Sequence, residues 1–531
     1  AAGAFVGRGA QLNQLAMLLA RTERTGQGEL ALLRGEAGIG KTRLLRELQR
    51  RAEEAGVACH AAAALEFGSG EGGDALRVLT RKLLGVDGSH PEVREQVALA
   101  AAASGITDNR LGPFLFDLLD LAIAPEDRSV VDAMTEADRR LARQDTFAAS
   151  VACAAAEQPV LLMVEDIHWL DPGTLDDLAA TATVIAELPV LLVLTTRREG
   201  DPIDAAWLAR AAPVPITTLD LPPLRAADAR VLAGQLLATV DDLEIERCVA
   251  RAQGNPLFLE QLLRHVRERG GDILPTTIQT LIQARIDRLA PGDREALRAA
   301  SVFGQGFALP ALRAVLGEAT FDPRQLVQSL LIRPAGEGYL FAHALIRDAV
   351  YDQLMRSQRH ELHGRAAQFF AGRDPALFAQ HLDRAADPAA AQAYATAARL
   401  QIDAYRKEAA LDLASRGLEI ATDPATRLAL ACLLGRLQLD LGRIDAALQA
   451  FATALQLADD PDGRCQALLG LAAALRLADR LDESVACLDE AQGLAESRDL
   501  SEQLARIRAL RDDRLATTQR VASANPSTPD P

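Results

Sequence analysis

Lysine is almost missing from this sequence. Three occur, Lys41, Lys82 and Lys407, beside 54 arginines. Arginine replaces lysine freely on surfaces, so a lysine kept at position 41 marks a demand for a compact point charge. Net positive charge is missing too: 57 Lys+Arg against 73 Asp+Glu leave −16 at pH 7. That balance argues against a nucleic-acid partner for the chain as a whole. The six cysteines, Cys59, Cys153, Cys248, Cys432, Cys465 and Cys487, are scattered with no C-x-x-C pair. They read as small buried hydrophobes in a reducing cytoplasm, not as a disulfide or zinc framework. No apolar run reaches the roughly 18 residues that span a bilayer, and the N-terminus lacks a signal-peptide pattern. The chain opens Ala-Ala without a methionine, a start expected of a piece of a longer protein. Its 531 residues, 49% hydrophobic, are enough for about three or four domains with sizeable cores.

What is present centres on Leu30 to Leu45. Leu30–Leu33 reads as a buried strand, followed by a glycine-rich turn and an amphipathic helix. The turn fits G-x-x-x-x-G-K-[ST] at Gly35, Gly40, Lys41 and Thr42. Glycines let backbone N–H groups curl round a phosphate without Cβ clashes, and the helix aims its positive end at the same anion. Lys41 is expected to bridge the β- and γ-phosphates of a nucleoside triphosphate, and the Thr42 hydroxyl to hold Mg²⁺. The expected cradle is Gly35, Gly38, Ile39, Gly40, Lys41, Thr42 and Arg43.

Upstream, Phe5-Val6-Gly7-Arg8 precedes Leu12, Leu15, Leu18 and Leu19 at helical spacing. Simple packing and an adenine-side segment both fit. Val57–Ala61 is a second strand, residues 66–75 form a glycine-rich loop, and helices run to about Ala156. Val160–Asp166 is an apolar run closing on Glu165 and Asp166. Acids ending a buried parallel strand fall beside the ligand crevice, where one orients Mg²⁺ and the other polarises a water. Which acid does which is open. His168-Trp169 offers a metal ligand and a stacking surface, or plain local packing. Val190–Arg197 is a further strand, with Arg197 or a Thr hydroxyl as a γ-phosphate probe or a solvated cap. Strands alternating with helices imply a doubly wound parallel sheet.

Pro213, Pro215, Pro222 and Pro223 mark a boundary. Residues 225–270 are helical, with Gly254-Asn255-Pro256 opening a new helix. Residues 276–350 read as three helical stretches, then a turn at 336–338, Tyr339-Leu340-Phe341, and a helix from His343, a winged helix in outline. Its 8 Arg against 7 Asp+Glu are close to balance, unlike a DNA-reading module. An imidazole at that helix start is placed to donate to an anion. From about 394 the chain repeats. Glu408–Leu411 recurs as Asp445–Leu448 and again as Asp482–Val485, 37 residues on each time. Small Ala410 and Ala447, with Phe451 and Leu488, suit packed helix pairs, close to a lengthened tetratricopeptide unit. The tail from 517 is expected to be disordered.

In this order the motifs resemble the STAND class of signal-transduction ATPases, an AAA+-like branch of P-loop proteins. Phe5–Arg8 looks like the adenine-side opening, assigning Val6, Gly7 and Arg8 to the cofactor. Val164–Asp171 resembles the extended Walker B, Thr195-Thr196-Arg197 sensor 1, and Gly254-Asn255-Pro256 the lid motif whose proline lies on the adenine. Ala342–Asp348 is similar to the winged-helix motif of nucleotide-binding immune receptors, where a histidine touches the β-phosphate of ADP; His343 takes that place. Walker B departs from the pattern as Glu-Asp, and Ala344 stands where an Asp is usual. The likeness extends to large LuxR-type regulators and ATPase–adenylate cyclase fusions.

The resulting expectation is an α/β P-loop ATPase domain at 1–215, a helical lid at 216–275 and a winged helix at 276–350. A helical linker at 351–393, an α-solenoid at 394–515 and a tail at 516–531 follow. Function is read as an ATP/ADP switch with weak hydrolysis by Glu165, Asp166 and Arg197, with Mg²⁺ on Thr42, Glu165 and Asp166. The output would be a transcription regulator, a nucleotide cyclase or a partner. A protein or small-molecule inducer would bind the repeats, and the ATP state would self-associate, with no membrane or direct nucleic-acid contact. The alternatives are a continuously turning AAA+-like machine and a DNA-binding winged-helix regulator.

Overall fold

The computed structural model describes residues 5–64, 75–86, 95–99, 112–119, 121, 125–236, 241–269, 277–336, 338–498 and 501–511. The expected glycine-rich loop (but for Ala75) and the tail lie outside them. The chain divides into two units, 1–362 and 363–531.

The first unit is built on a five-stranded parallel sheet in the order β2-β3-β4-β1-β5. The strands are β1 (Glu29–Arg34), β2 (Ala58–Ala63), β3 (Val160–Glu165), β4 (Val190–Thr196) and β5 (Ile216–Asp220). Both faces are covered, and the pleat sorts the side chains. Leu30 and Leu32 of β1 with Val160, Leu162 and Val164 of β3 enter one core, shared with Phe147, Leu178 and Trp207. Ala31, Leu33, Leu161 and Met163 enter the other, against α1 (Gly9–Thr25) and α2 (Lys41–Glu54). Strands buried on both faces read as unbroken apolar runs, which is why the pattern was plain in the sequence. The fifth strand was not foreseen. Pro215 and Pro222 bracket it, and it pairs with β1 along Leu30↔Ile216 to Arg34↔Asp220, so the sheet runs past the boundary drawn at 215.

Next come the helices Ala226–Leu236, Asp242–Ala252 and Pro256–Arg269, closed round Ala233, Cys248, Leu259 and Leu263. Residues 277–352 hold four helices and then a fifth, Ala344–Asp352. With them is an antiparallel sheet of β6 (Gly306–Ala308), β7 (Ile332–Ala335) and β8 (Gly338–Phe341), ordered β6-β8-β7. The β7–β8 hairpin is registered Ile332↔Phe341 and Arg333↔Leu340.

In the second unit helices stack in hairpin pairs: Ala390–Asp403 with Lys407–Ile420, Pro424–Asp440 with Ile444–Leu457, Pro461–Leu477 with Leu481–Ser497. The 37-residue period holds in the backbone. Tyr405, Gly442 and Asp479 all take positive φ between the paired helices (60°, 72° and 59°). Asp423 and Asp460 each cap the next pair, accepting from Thr426 N at 2.8 Å and Gly463 N at 2.9 Å ahead of a proline at the first turn. Part of the expected linker belongs to this stack: Ala379 and Leu382 of Pro375–Arg384 share a core with Ala390, Ala393 and Tyr394. All six cysteines are free. No described helix is long and apolar enough to cross a membrane.

Phe451 shows how tightly the pairs close. Its ring lies between two glycines: a Cβ on Gly435 would stand 2.6 Å from the ring, and one on Gly470 would overlap it. Gly470→Ala is therefore expected to destabilise the second unit by about 1–3 kcal/mol, the cost of overpacking a filled core. Thermal unfolding of the variant checks this; an unchanged melting temperature would contradict it.

Candidate functional site

The parallel sheet puts three strand ends side by side, since β4 lies between β1 and β3. Gly35 follows β1, Glu165 and Asp166 end β3, and Thr195-Thr196-Arg197 end β4, with Leu33↔Thr195 and Val164↔Leu194 in register. The carboxyl edge of such a sheet is where ligands bind. A cavity of about 610 Å³ opens there, lined by the P-loop, the two acids, Arg197, Pro256 of the helical subdomain and Arg333 and His343 of the hairpin subdomain.

The loop takes its shape from backbone only glycine accepts easily. Gly38 and Gly40 have φ of 78° and 102°. Gly40 is the N-cap of α2, so the helix starts at Lys41 and points its free N–H groups at the loop. Lys41 is buried, and its Nζ donates to the carbonyls of Gly35 at 2.8 Å and Glu36 at 3.3 Å. Burial lowers its pKa; Asp166 and Glu165 oppose that shift and Arg197 adds to it.

Neighbouring segments hold the loop by its backbone. Arg8 Nη2 donates to Ile39 O at 3.2 Å, and Asn255 Nδ2 to Ala37 O at 3.1 Å. Leu257 N reaches Gly38 O at 3.4 Å, while Asn255 Oδ1 accepts from Phe258 N as a helix cap. Gly7 is needed for approach: a Cβ there would lie 2.7 Å from Leu224 Cδ2. The opening and lid motifs thus meet on the P-loop. Val6, Arg8, Pro256 and Leu257 line one end of the cavity with Leu224, Leu232 and Leu236, an apolar pocket suited to a flat base.

The two acids differ in setting. Glu165 is hydrogen-bonded to Thr42; burial raises its pKa, that bond lowers it, and Asp166 raises it further. Asp166 leaves the strand at φ 58°, its N–H held by Thr195 Oγ1 at 2.9 Å. Burial raises its pKa as well, opposed by Lys41 and Arg197. Hydroxyl and carboxylate oxygens suit Mg²⁺, which keeps waters and shares substrate phosphates; among the described residues no cluster of three His, Cys, Asp or Glu could hold a metal alone. Arg197 stands over the Trp169 ring, 5.6 Å from its centroid. His168 beside it has both ring nitrogens buried without a partner, and its pKa falls to about 4 through burial, Arg197 and Lys41. Asp171 caps the next helix through Thr174 N at 2.9 Å.

His343 is the N-cap of Ala344–Asp352, but its side chain makes no capping bond. The ring is exposed to the cavity, yet the protein packed around it disfavours the charged form. Burial lowers its pKa first, Glu260 raises it, and Arg333, Arg46 and Arg264 lower it, so the imidazole is neutral near pH 7. All the residues expected at the site line this one cavity except Gly7 and Gly35, which are chain neighbours of lining residues. Asn255 was read only as part of the Gly254-Asn255-Pro256 motif, without a role on the loop, and Arg46, Glu260 and Arg333 were not named. Of the unnamed three only Arg46, four residues after Thr42 on one helix face, carried a signal.

The geometry is that of a P-loop nucleotide site. Residues 4–193 match the family model described as AAA ATPase domain. An uncharacterized protein of Rhizobium meliloti (strain 1021) is 29% identical over 402 residues, 68% of this chain and 36% of that protein; the chain thus spans about a third of this curated relative. The crystal structure of a Signal Transduction ATPase with Numerous Domains (STAND) protein with a tetratricopeptide repeat sensor, from Pyrococcus horikoshii, superposes with a TM-score of 0.53. The two are 16% identical over 96% of this chain and 67% of that one. The chain carries an AAA ATPase domain within a fold shared with a STAND protein, helical repeats included.

Lys41→Ala should abolish ATP and ADP binding in calorimetry while circular dichroism stays that of the parent; retained affinity in a folded variant would contradict the P-loop assignment. The acids give a second prediction. A carboxyl whose folded pKa is raised adds stability that is full below its unfolded pKa and is lost as pH rises through the folded one. Glu165→Gln and Asp166→Asn, which mimic the protonated forms, should melt above the nucleotide-free parent at neutral pH. The gap should close on acidification to the ordinary carboxylate range, and a gap that widens there would contradict it.

Proposed function

We propose that the protein is a cytoplasmic ATP/ADP switch with slow ATP hydrolysis, closed by ADP and opened by exchange for ATP. The observation that carries this reading is the shared cavity: P-loop, Pro256 and His343 come from three successive subdomains and face one space. A nucleotide there would touch all three, so its phosphates can bias their arrangement, provided ADP and ATP bind the two forms with different affinity. Lys41 and the loop N–H groups hold the β-phosphate, the Val6, Arg8 and Pro256 end takes the adenine, and neutral His343 donates one N–H to the β-phosphate. The downstream subdomain acts as a winged helix in a packing role. Mg²⁺, when bound, neutralises charge on the phosphate oxygens. Thr42 and Glu165, already joined, hold its side of the site, and Asp166, turned out of the strand line, takes the base role. Arg197, steadied on Trp169, reads the γ-phosphate.

The repeats would receive the inducer, a protein or a small molecule. A groove of about 490 Å³ between the last two pairs, lined by Leu448, Leu471, Leu475 and Cys487, suits an apolar side chain. The output, a transcription regulator, a cyclase or a partner, would be read through self-association of the ATP form.

Losing the His343 bond should cost roughly 1.5–3 kcal/mol of ADP affinity, about ten- to a hundredfold. His343→Ala should weaken ATP binding less and speed ADP release; equal losses for both nucleotides would defeat the closed-switch reading. Asp166→Asn should slow turnover by about 10²-fold or more.

A further inference from the structure

Two arginines meet at the phosphate end of the cavity. Arg46 follows Thr42 by one turn on α2, and Arg333 stands on β7, both lining the cavity with Glu165. They are close enough to repel each other, and each is drawn to Glu165. Among the described residues neither guanidinium is held by a hydrogen bond or a salt bridge. Two like charges converging on one space, with no bonded partner of their own, describe an anion subsite. The hairpin fixes where Arg333 stands. Its backbone pairs with Leu340, and Ala342 N donates to Leu331 O at 2.9 Å at the hairpin base, next to His343. The hairpin and the helix start that follows it therefore present two probes to one space, a guanidinium and an imidazole.

We propose that Arg333, with Arg46, meets the γ-phosphoryl group only as it is transferred, when the open ATP form recloses for hydrolysis, and acts as an arginine finger supplied by the chain's own downstream hairpin. This rests on reading the cavity as a hydrolytic ATP site. In the reaction a water oxygen bonds the γ-phosphorus while the bond from that phosphorus to the β–γ bridging oxygen breaks, the bridging oxygen keeping the electron pair. The water's proton passes to a carboxylate of the Glu165–Asp166 pair and on to solvent, leaving ADP and inorganic phosphate. The planar guanidinium donates to the equatorial oxygens, where charge is spread in the transition state. Closure of the hairpin then completes the catalytic set and, once phosphate leaves, puts His343 on ADP. Hydrolysis and resetting become one event within one chain.

The test titrates full-length parent, Arg333→Ala and Arg333→Lys with ADP alone and with ADP plus aluminium fluoride, magnesium present throughout. Arg333→Ala should bind ADP within about twofold of the parent, lose about 100-fold in affinity for the ADP–aluminium fluoride complex, and turn over about 10²-fold more slowly. Arg333→Lys should recover only part, lacking the planar fork. Parent turnover per chain should not change with protein concentration. Parent-like fluoride-complex binding in Arg333→Ala, an equal loss for ADP alone, or turnover that rises with concentration would each overturn the proposal. A null result for His343→Ala would defeat the ADP lock and leave this outcome standing.

Discussion

The structure depends on how the P-loop backbone is held. A loop of positive-φ glycines has no side chains with which to hold its own shape, and neighbouring segments supply what it lacks. Arg8 takes the carbonyl of Ile39, Asn255 that of Ala37, and Leu257 N that of Gly38. Lys41 closes the ring from within on Gly35 and Glu36. The chain's start and the helical subdomain at 226–269 are thereby fastened to the same few peptide groups. Through Gln261, which accepts from Arg285, and Arg285, which also donates to Ser329 O, the same helical subdomain is joined to the segment leading into β7. A change in what the loop holds is felt in each subdomain by contact.

Stability and chemistry oppose each other here. Burial raises the pKa of both Glu165 and Asp166 and lowers that of Lys41, so the charged forms the reaction uses are the ones the fold disfavours. Cations around them, including Arg197, Arg46 and Arg333, offset part of this. A magnesium-bound triphosphate would offset more, since its metal meets the acids and its phosphates the arginines. Binding at such a site adds stability by mass action.

Much of this was legible in the sequence because the physics is local. A glycine spacing, a lone lysine and an apolar run ending in two acids each need only neighbouring residues to be read. The repeats were legible through their small and apolar positions, although the turn residues Tyr405, Gly442 and Asp479 share no side-chain type. The fifth strand was hidden by its flanking prolines, which mark an edge strand as readily as a linker. The helix Pro375–Arg384, which shares a core with Ala390–Asp403, was read as linker because the aligned repeat begins only at 408. Arg333 gave no signal, being one of 54 arginines and set by the fold beside a carboxylate far upstream. His343 was legible as an imidazole at a helix start and, through a resemblance, as a phosphate contact, while its facing groups Glu260, Arg333 and Arg264 were legible only through the fold.

The central claim is that one nucleotide ties the P-loop to the lid and the hairpin. Hydrogen–deuterium exchange of residues 328–348, followed without nucleotide, with ADP and with a non-hydrolysable ATP analogue, tests it most directly. The account predicts that ADP slows exchange in the P-loop, at Gly254–Leu257 and in the β7–β8 hairpin together. The ATP analogue should protect the P-loop while leaving the hairpin faster than with ADP. Protection confined to the P-loop with both nucleotides would contradict it.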